Sequence, residues 1–291
     1  MRPRRSVLYM PGANTRALEK ARGLDCDSII FDLEDAVAPD AKSVARDAVA
    51  AAVAEGGYGS RERVLRINAL DTPWGEADLA AALKMDVDAV LVPKIEDQQQ
   101  LDQVYKAFDR VDSHTTLWIM VETPRGVLQC ERLIADNPRV AVLVMGTSDL
   151  TQELRARHTQ DRQPMLAAFG HCLLVARAHD RVILDGVHLD FRNESTFRAA
   201  CVQGRELGFD GKTLIHPSQI DICNEVFGPS DAEVEDARFV KAAWDEAQRA
   251  GKGVAVVGGR LVENLHAVEA DRVLAFAAVI ANRASSPETG R

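Results

Sequence analysis

Several things are missing from this chain, and each absence removes a class of function. No apolar run among its 291 residues is long enough to cross a bilayer. The basic opening MRPRRSVLYMPG carries too short an apolar segment for a secretion signal. Cysteines number five (Cys26, Cys130, Cys172, Cys201, Cys223), an odd and scattered set without CxxC spacing. That excludes a disulfide frame and a thiolate zinc site and is expected of free thiols in a reducing cytoplasm. Positive charge is outweighed: 35 Lys and Arg face 44 Asp and Glu, a formal net charge of −9. A nucleic-acid-binding surface is therefore not expected, although local basic clusters can still take an anionic cofactor. No GxGxxG follows the first apolar run, and neither Ser148 nor Ser218 has a His–Asp set to make it a nucleophile.

What is present is repetition. Eight short apolar runs, Ser6–Met10, Ser28–Leu33, Arg63–Ile67, Ala89–Pro93, Leu117–Val121, Val140–Met145, Arg181–Val187 and Lys212–His216, alternate with amphipathic stretches such as Ala17, Leu18, Ala21 and Leu24. None of the runs alternates strictly with polar residues, so they read as strands buried on both faces, as a parallel sheet requires. Eight strand–helix units predict an α/β fold, a TIM (β/α)8 barrel, over residues 1–228. Residues 229–291 then form an extension. A charged helix follows the start signal Pro229-Ser230, a hairpin turns at Gly258-Gly259, a helix covers Ala267–Asn282, and the tail from Ala284 is frayed. A helix–hairpin–helix unit cannot bury itself, and is expected to pack on the barrel or on a neighbouring subunit.

In a parallel barrel, function gathers at the C-terminal strand ends. Here these read Pro11-Gly12, Glu34-Asp35, Arg66 to Asn68, Lys94, Glu122, Gly146 to Asp149, Asp185 to His188 and His216-Pro217. Glu122 and Asp149 close neighbouring runs. Two carboxylates with water and substrate oxygens suit a hard cation such as Mg²⁺, and no His or Cys accompanies them as zinc would ask. An ion pair with Arg125 or Arg66 accounts for the same acids, and spacing does not separate the two readings. Arg66 can fork onto a carboxylate or meet developing negative charge, and a salt bridge to Glu34 or Glu122 is compatible with either. Glu34 and Asp35 would face opposite ways on a strand, so at most one enters the mouth unless the strand has ended. Lys42 and Arg46, at i and i+4 on the next helix, read as a solvated face. Arg5, Arg16 and Lys20 flank the first strand–helix junction and could meet phosphates, with Gly12 giving the backbone room to approach a ligand. His188 could serve as acid or base, while His216-Pro217 reads as a hydrogen-bonded turn.

Seven ordered motifs, RSVLYMPG, IIFDLEDAV, VLRIN, VLVPKIE, VETPRGV, GTSD and GFDGKTLIHPSQI, resemble the HpcH/HpaI aldolase and citrate lyase beta-subunit family from Arg5 to about Phe227. The resemblance implies a TIM barrel with a C-terminal extension, assembled as a homotrimer or a hexamer. It implies Mg²⁺, with Mn²⁺ as a substitute, on Glu122 and Asp149. Arg66 would contact a CoA-thioester substrate lying across the barrel mouth, with Glu34 and Asp35 in support and Gly146 beside the substrate. Within the family the chain resembles the malyl-CoA and citramalyl-CoA branch, whose lyases place an Asp in the hairpin of the extension. Here GGRLVENLH puts Glu263 at that position, as in the malyl-CoA thioesterase branch. Thioester hydrolysis is thus favoured over C–C cleavage to glyoxylate or pyruvate and an acyl-CoA. A citrate lyase beta-like subunit is a third reading. A non-enzymatic scaffold is disfavoured by the joint presence of Arg66, Glu122 and Asp149.

Overall fold

The computed structural model describes residues 2–110, 114–135 and 137–285. Eight parallel strands, β1 (Ser6–Pro11), β2 (Ser28–Asp32), β3 (Glu62–Arg66), β4 (Ala89–Val92), β5 (Thr116–Val121), β6 (Val140–Met145), β7 (Val182–Asp185) and β8 (Gly211–Leu214), close into a barrel in sequence order. Strand β8 pairs back onto β1 through Ser6–Lys212 and Leu8–Leu214. The TIM barrel expected from the eight apolar runs is the fold observed. Helices α1 (Thr15–Ala21), α2 (Lys42–Glu55), α3 (Gly75–Ala82), α4 (Gln98–Phe108), α5 (Pro124–Ala135), α6 (Thr147–Glu153), α7 (Leu166–Ala178), α8 (Glu194–Leu207) and α9 (Ile220–Phe227) follow or join the strands.

Side-chain alternation along each strand separates two apolar layers. Val7, Ile30, Val64, Ala89, Leu91, Trp118, Met120, Val142, Val144 and Leu184 fill one buried cluster, with Tyr9 and Val182 against it. Strands β1 to β7 contribute to this cluster, and where a strand supplies two residues they are two apart, so it is the barrel interior. The alternate residues, Leu8, Ile29, Phe31, Leu65, Val90, Ile119, Leu143 and Ile183, are fully buried as well and face the helices. Burial on both faces is why the strands lack polar alternation. The pattern continues past the apolar layers: two residues beyond Ile30, Val64, Met120 and Val144 come Asp32, Arg66, Glu122 and Gly146. A period of two therefore delivers the polar groups to the mouth.

Among the described residues, 4–224 form one compact unit, and residues 2–3 with 225–285 form another. The second holds α10 (Asp231–Arg249), the antiparallel pair β9 (Ala255–Val257) and β10 (Arg260–Val262), and α11 (Asn264–Ser285). Ser230 and Glu233 cap α10 reciprocally, and Gly258 and Gly259 close the hairpin at positive φ. Ala237, Val240, Val262 and Ala270 make its small core. The expected helix–hairpin–helix is thus present; from residue 286 the expected frayed tail lies outside the described residues.

Candidate active site

A pocket of about 360 Å³ opens at the C-terminal ends of the strands. Tyr9, Asp32, Arg66, Glu122, Gly146 and Asp149 are among its lining residues, with Val187, Leu189 and Ile215 as an apolar side. Arg66 is its most heavily committed group. Nε and Nη2 donate to the two Asp32 carboxylate oxygens at 2.7 and 2.6 Å. Nη1 lies 2.8 Å from Glu34 and 3.2 Å from Asp35, and the guanidinium stacks 4.8 Å from the Tyr9 ring centroid. One Nη2 hydrogen is left uncommitted by these contacts.

Glu34 and Asp35 both reach Arg66 because β2 has already ended at Asp32. The principal partner, Asp32, was not singled out in the sequence. The signal for it was there, an acid two residues beyond the inward-facing Ile30, but it was hidden inside an apolar run. Lys42 and Arg46 correct another expectation, since they are not a solvated face. Lys42 is buried and donates to the carbonyls of Leu33 and Glu34 at 2.9 and 2.7 Å. Arg46 pairs with buried Asp78 at 2.6 Å. An amphipathic count sees charge on a helix, but it does not see that this face turns toward the strand end. Lys42 thereby anchors the loop that carries Glu34 and Asp35.

Glu122 and Asp149 both line the pocket, and Lys94 contacts both of them. Its backbone N–H donates to Glu122 Oε1 at 2.9 Å, and its ammonium is 3.6 Å from Asp149 Oδ2 and 3.7 Å from Glu34 Oε1. Burial pushes the Glu122 carboxyl up to about 8, with the charges of Glu34 and Asp149 adding to it. Burial likewise raises Glu34 to about 7, and Arg66 opposes that shift. Desolvation lowers the Lys94 ammonium, but Glu34, Glu122, Asp149 and Asp35 outweigh it and the net shift is upward. The mouth therefore holds more buried carboxyl groups than its cations can keep ionised.

That environment fits a hard cation. The candidate ligands, Glu122 and Asp149, offer carboxylate oxygens, and beside them Glu34 Oε2 is buried with no directed hydrogen bond despite its ionic contact with Arg66. A Cβ on Gly146 would fall 2.3 Å from Glu122 Cβ and 2.8 Å from Oε2. Only glycine lets β6 end this close to the carboxylate. Among the described residues no group of three or more His, Cys, Asp or Glu side chains is disposed to hold a metal alone. A cation here would thus need water and substrate oxygens, the habit of Mg²⁺.

The remaining expected site residues are scattered. Arg5 precedes β1, at the opposite end of the barrel, where it forks onto Asp27 at 2.9 Å. The expectation that it binds CoA is corrected on that ground: a basic residue near a strand can lie at either end, and this one is consumed by a buried acid. Arg16 and Lys20 are exposed on α1, the helix that leaves the mouth end of β1, Arg16 in its first turn and Lys20 in its last. Gly12 serves its own chain, because its N–H donates to the Asp32 carbonyl at 2.8 Å and a Cβ would strike that oxygen. It gives no ligand room. His216 accepts from the Ser218 N–H at 3.2 Å in a capped turn, as expected. His188 meets Thr196 at 3.2 Å. Glu263 lies in the second unit just before α11. Its N–H donates to His266 Nδ1 at 3.0 Å and its carboxylate is exposed.

Residues 5–217 match the model of the family described as HpcH/HpaI aldolase/citrate lyase. The chain belongs to this family. A (3S)-malyl-CoA thioesterase of Cereibacter sphaeroides is 51% identical over 279 residues, 96% of either chain. A citrate lyase subunit beta of Leuconostoc mesenteroides is 33% identical over 283 residues, 95% of this chain and 94% of its own. Among family structures, protein CitE from Mycobacterium tuberculosis in complex with magnesium, acetoacetate and coenzyme A superposes with a TM-score of 0.76. It is 27% identical and the match covers 94% of this chain and 97% of that one. These relatives are enzymes, and the TIM barrel is common ground between them and this chain.

Proposed function

We propose that this chain is a Mg²⁺-dependent enzyme that hydrolyses the thioester of malyl-CoA or a similarly short 3-hydroxyacyl-CoA. The observation that carries this reading is the convergence of Arg66, Glu122 and Asp149 on one pocket at the barrel mouth, in a chain 51% identical to a (3S)-malyl-CoA thioesterase. Glu122 and Asp149 would hold the Mg²⁺, or Mn²⁺ in its place, which supplies Lewis-acid polarisation of the substrate's oxygens. Arg66 is locked by Asp32, Glu34 and Asp35, so its free Nη2 hydrogen is preorganised for an acyl oxygen on which negative charge develops. Gly146 leaves room beside Glu122. Arg16 and Lys20, exposed on α1, would meet the CoA phosphates. Glu263 is the candidate to position or deprotonate water, or to attack the acyl carbon itself. The exposed apolar side chains Phe239, Leu261, Leu265 and Val268 of the C-terminal unit support burial of that surface in a homotrimer or a hexamer. Light scattering on the purified chain tests this, and a monomer would refute it. The five buried free thiols, with no described helix long and apolar enough to cross a membrane, accord with a cytoplasmic setting.

Product analysis with malyl-CoA and Mg²⁺ decides the reaction. Free CoA and malate are expected. Acetyl-CoA and glyoxylate without free CoA would instead establish the C–C lyase, the reading favoured by the 33% identity with citrate lyase subunit beta. Glu263→Asp sharpens the choice, because shortening the carboxylate by one methylene displaces it by about 1 Å and should lower hydrolysis by about a hundredfold. Unchanged hydrolysis would remove Glu263 from the mechanism.

A further inference from the structure

Lys94 touches three acids of the mouth at once, through its backbone to Glu122 and through its ammonium to Glu34 and Asp149. It does so from a left-handed backbone with φ of 53°, a conformation that glycine adopts without strain and lysine does not. The backbone contact to Glu122 requires the turn but not the side chain. A lysine in that strained position points to a use for the ammonium. That ammonium lies 3.6 and 3.7 Å from its two carboxylates, beyond hydrogen-bond range, on a side chain 43% exposed. It is held by charge and not by direction, and solvent gives it a route out.

We propose that Lys94 is a built-in rival of the divalent cation. Its ammonium neutralises Glu34 and Asp149 until a divalent ion takes Asp149, so Lys94 sets the concentration at which the site loads. The arrangement offsets part of the repulsion among the crowded acids when no ion is bound and makes loading an exchange of one cation for another. The inference rests on the assignment of Glu122 and Asp149 as the metal-holding acids.

Calorimetric titration of the full chain with Mg²⁺ tests it, using wild type, K94M, K94G, K94R and E122Q. K94M and K94G should each bind Mg²⁺ about tenfold more tightly, since one competing unit charge near 4 Å is gone. K94R keeps the charge and should stay near wild type. K94G also preserves the left-handed turn and its N–H, so it carries the test if K94M fails to fold. Unchanged or weaker binding in K94M and K94G, with E122Q still abolishing the wild-type signal, overturns the role of Lys94 alone. Equal binding by wild type and E122Q overturns the metal assignment, and this inference with it.

Discussion

The two ends of the barrel treat buried carboxylates in opposite ways. At the N-terminal end each acid is matched. Arg4 forks onto Glu62 at 2.6 and 2.7 Å and Arg5 onto Asp27 at 2.9 Å. Asp27, Asp88 and Asp210, each just ahead of a strand, accept the backbone N–H of Arg5, Arg63 and Ile183 at 2.8 Å. Those acids tie neighbouring strands in register. At the C-terminal end Asp32 is matched by Arg66, but Glu34 and Glu122 are crowded, buried and raised to about 7 and about 8. The first end is built for stability, and the second crowds acids that ionise only reluctantly without a cation, the division expected between the two faces of such a barrel. What separates them is the partner: Glu62 and Asp27 below each have a guanidinium forked onto them, whereas Glu34, Glu122 and Asp149 above share one edge of Arg66 and a loosely held ammonium.

The comparison can be broken most forcefully at Glu122. Glu122→Gln should lower Mg²⁺-dependent turnover by about a thousandfold or more while leaving thermal stability equal or improved, because a buried group that is costly to ionise is gone. A variant that melts well below wild type would place Glu122 with the structural acids. Glu62→Gln should do the reverse. It leaves Arg4 part-buried without its bidentate partner and should cost about 3 kcal/mol in denaturant unfolding, with turnover per folded molecule unchanged.

A pH series sharpens the contrast further. Glu122 and Glu34 ionise in the fold near 8 and 7, so protons compete with a cation as pH falls below about 8. Mg²⁺ affinity should weaken by up to about tenfold per pH unit there, measured by calorimetry at each pH. The stability sign is consistent. Both acids have raised folded values, so without a divalent ion their contribution is full below the ordinary carboxylate range and is lost as pH rises through about 7 to 8. Mg²⁺ should restore it. The smallest expected effect is at Lys42, whose ammonium holds the carbonyls of Leu33 and Glu34. Lys42→Met should lower unfolding stability by about 1 to 2 kcal/mol and reduce turnover a few-fold by loosening the loop that steadies Arg66. Turnover equal to wild type would make that anchor purely structural.

Barrel and extension were legible because both rest on local patterns. Eight apolar runs separated by amphipathic helices leave a closed parallel sheet as the economical way to bury them, and Gly258-Gly259 between two short apolar runs writes its own turn. The residues at the mouth were legible for the same reason, since the ends of strands can be read from where apolar runs stop. Partnership was not. Asp32 binds Arg66 across thirty-four positions of sequence, Arg5 turns to Asp27 and not to a ligand, and Lys42 folds back onto a strand end that looked unrelated to it. Chain order alone thus determined which groups stand at each rim. Which acid is neutralised and which is left charged was decided by tertiary structure, because Coulomb and hydrogen-bond energies depend on distances of a few ångströms between strands that are remote in sequence.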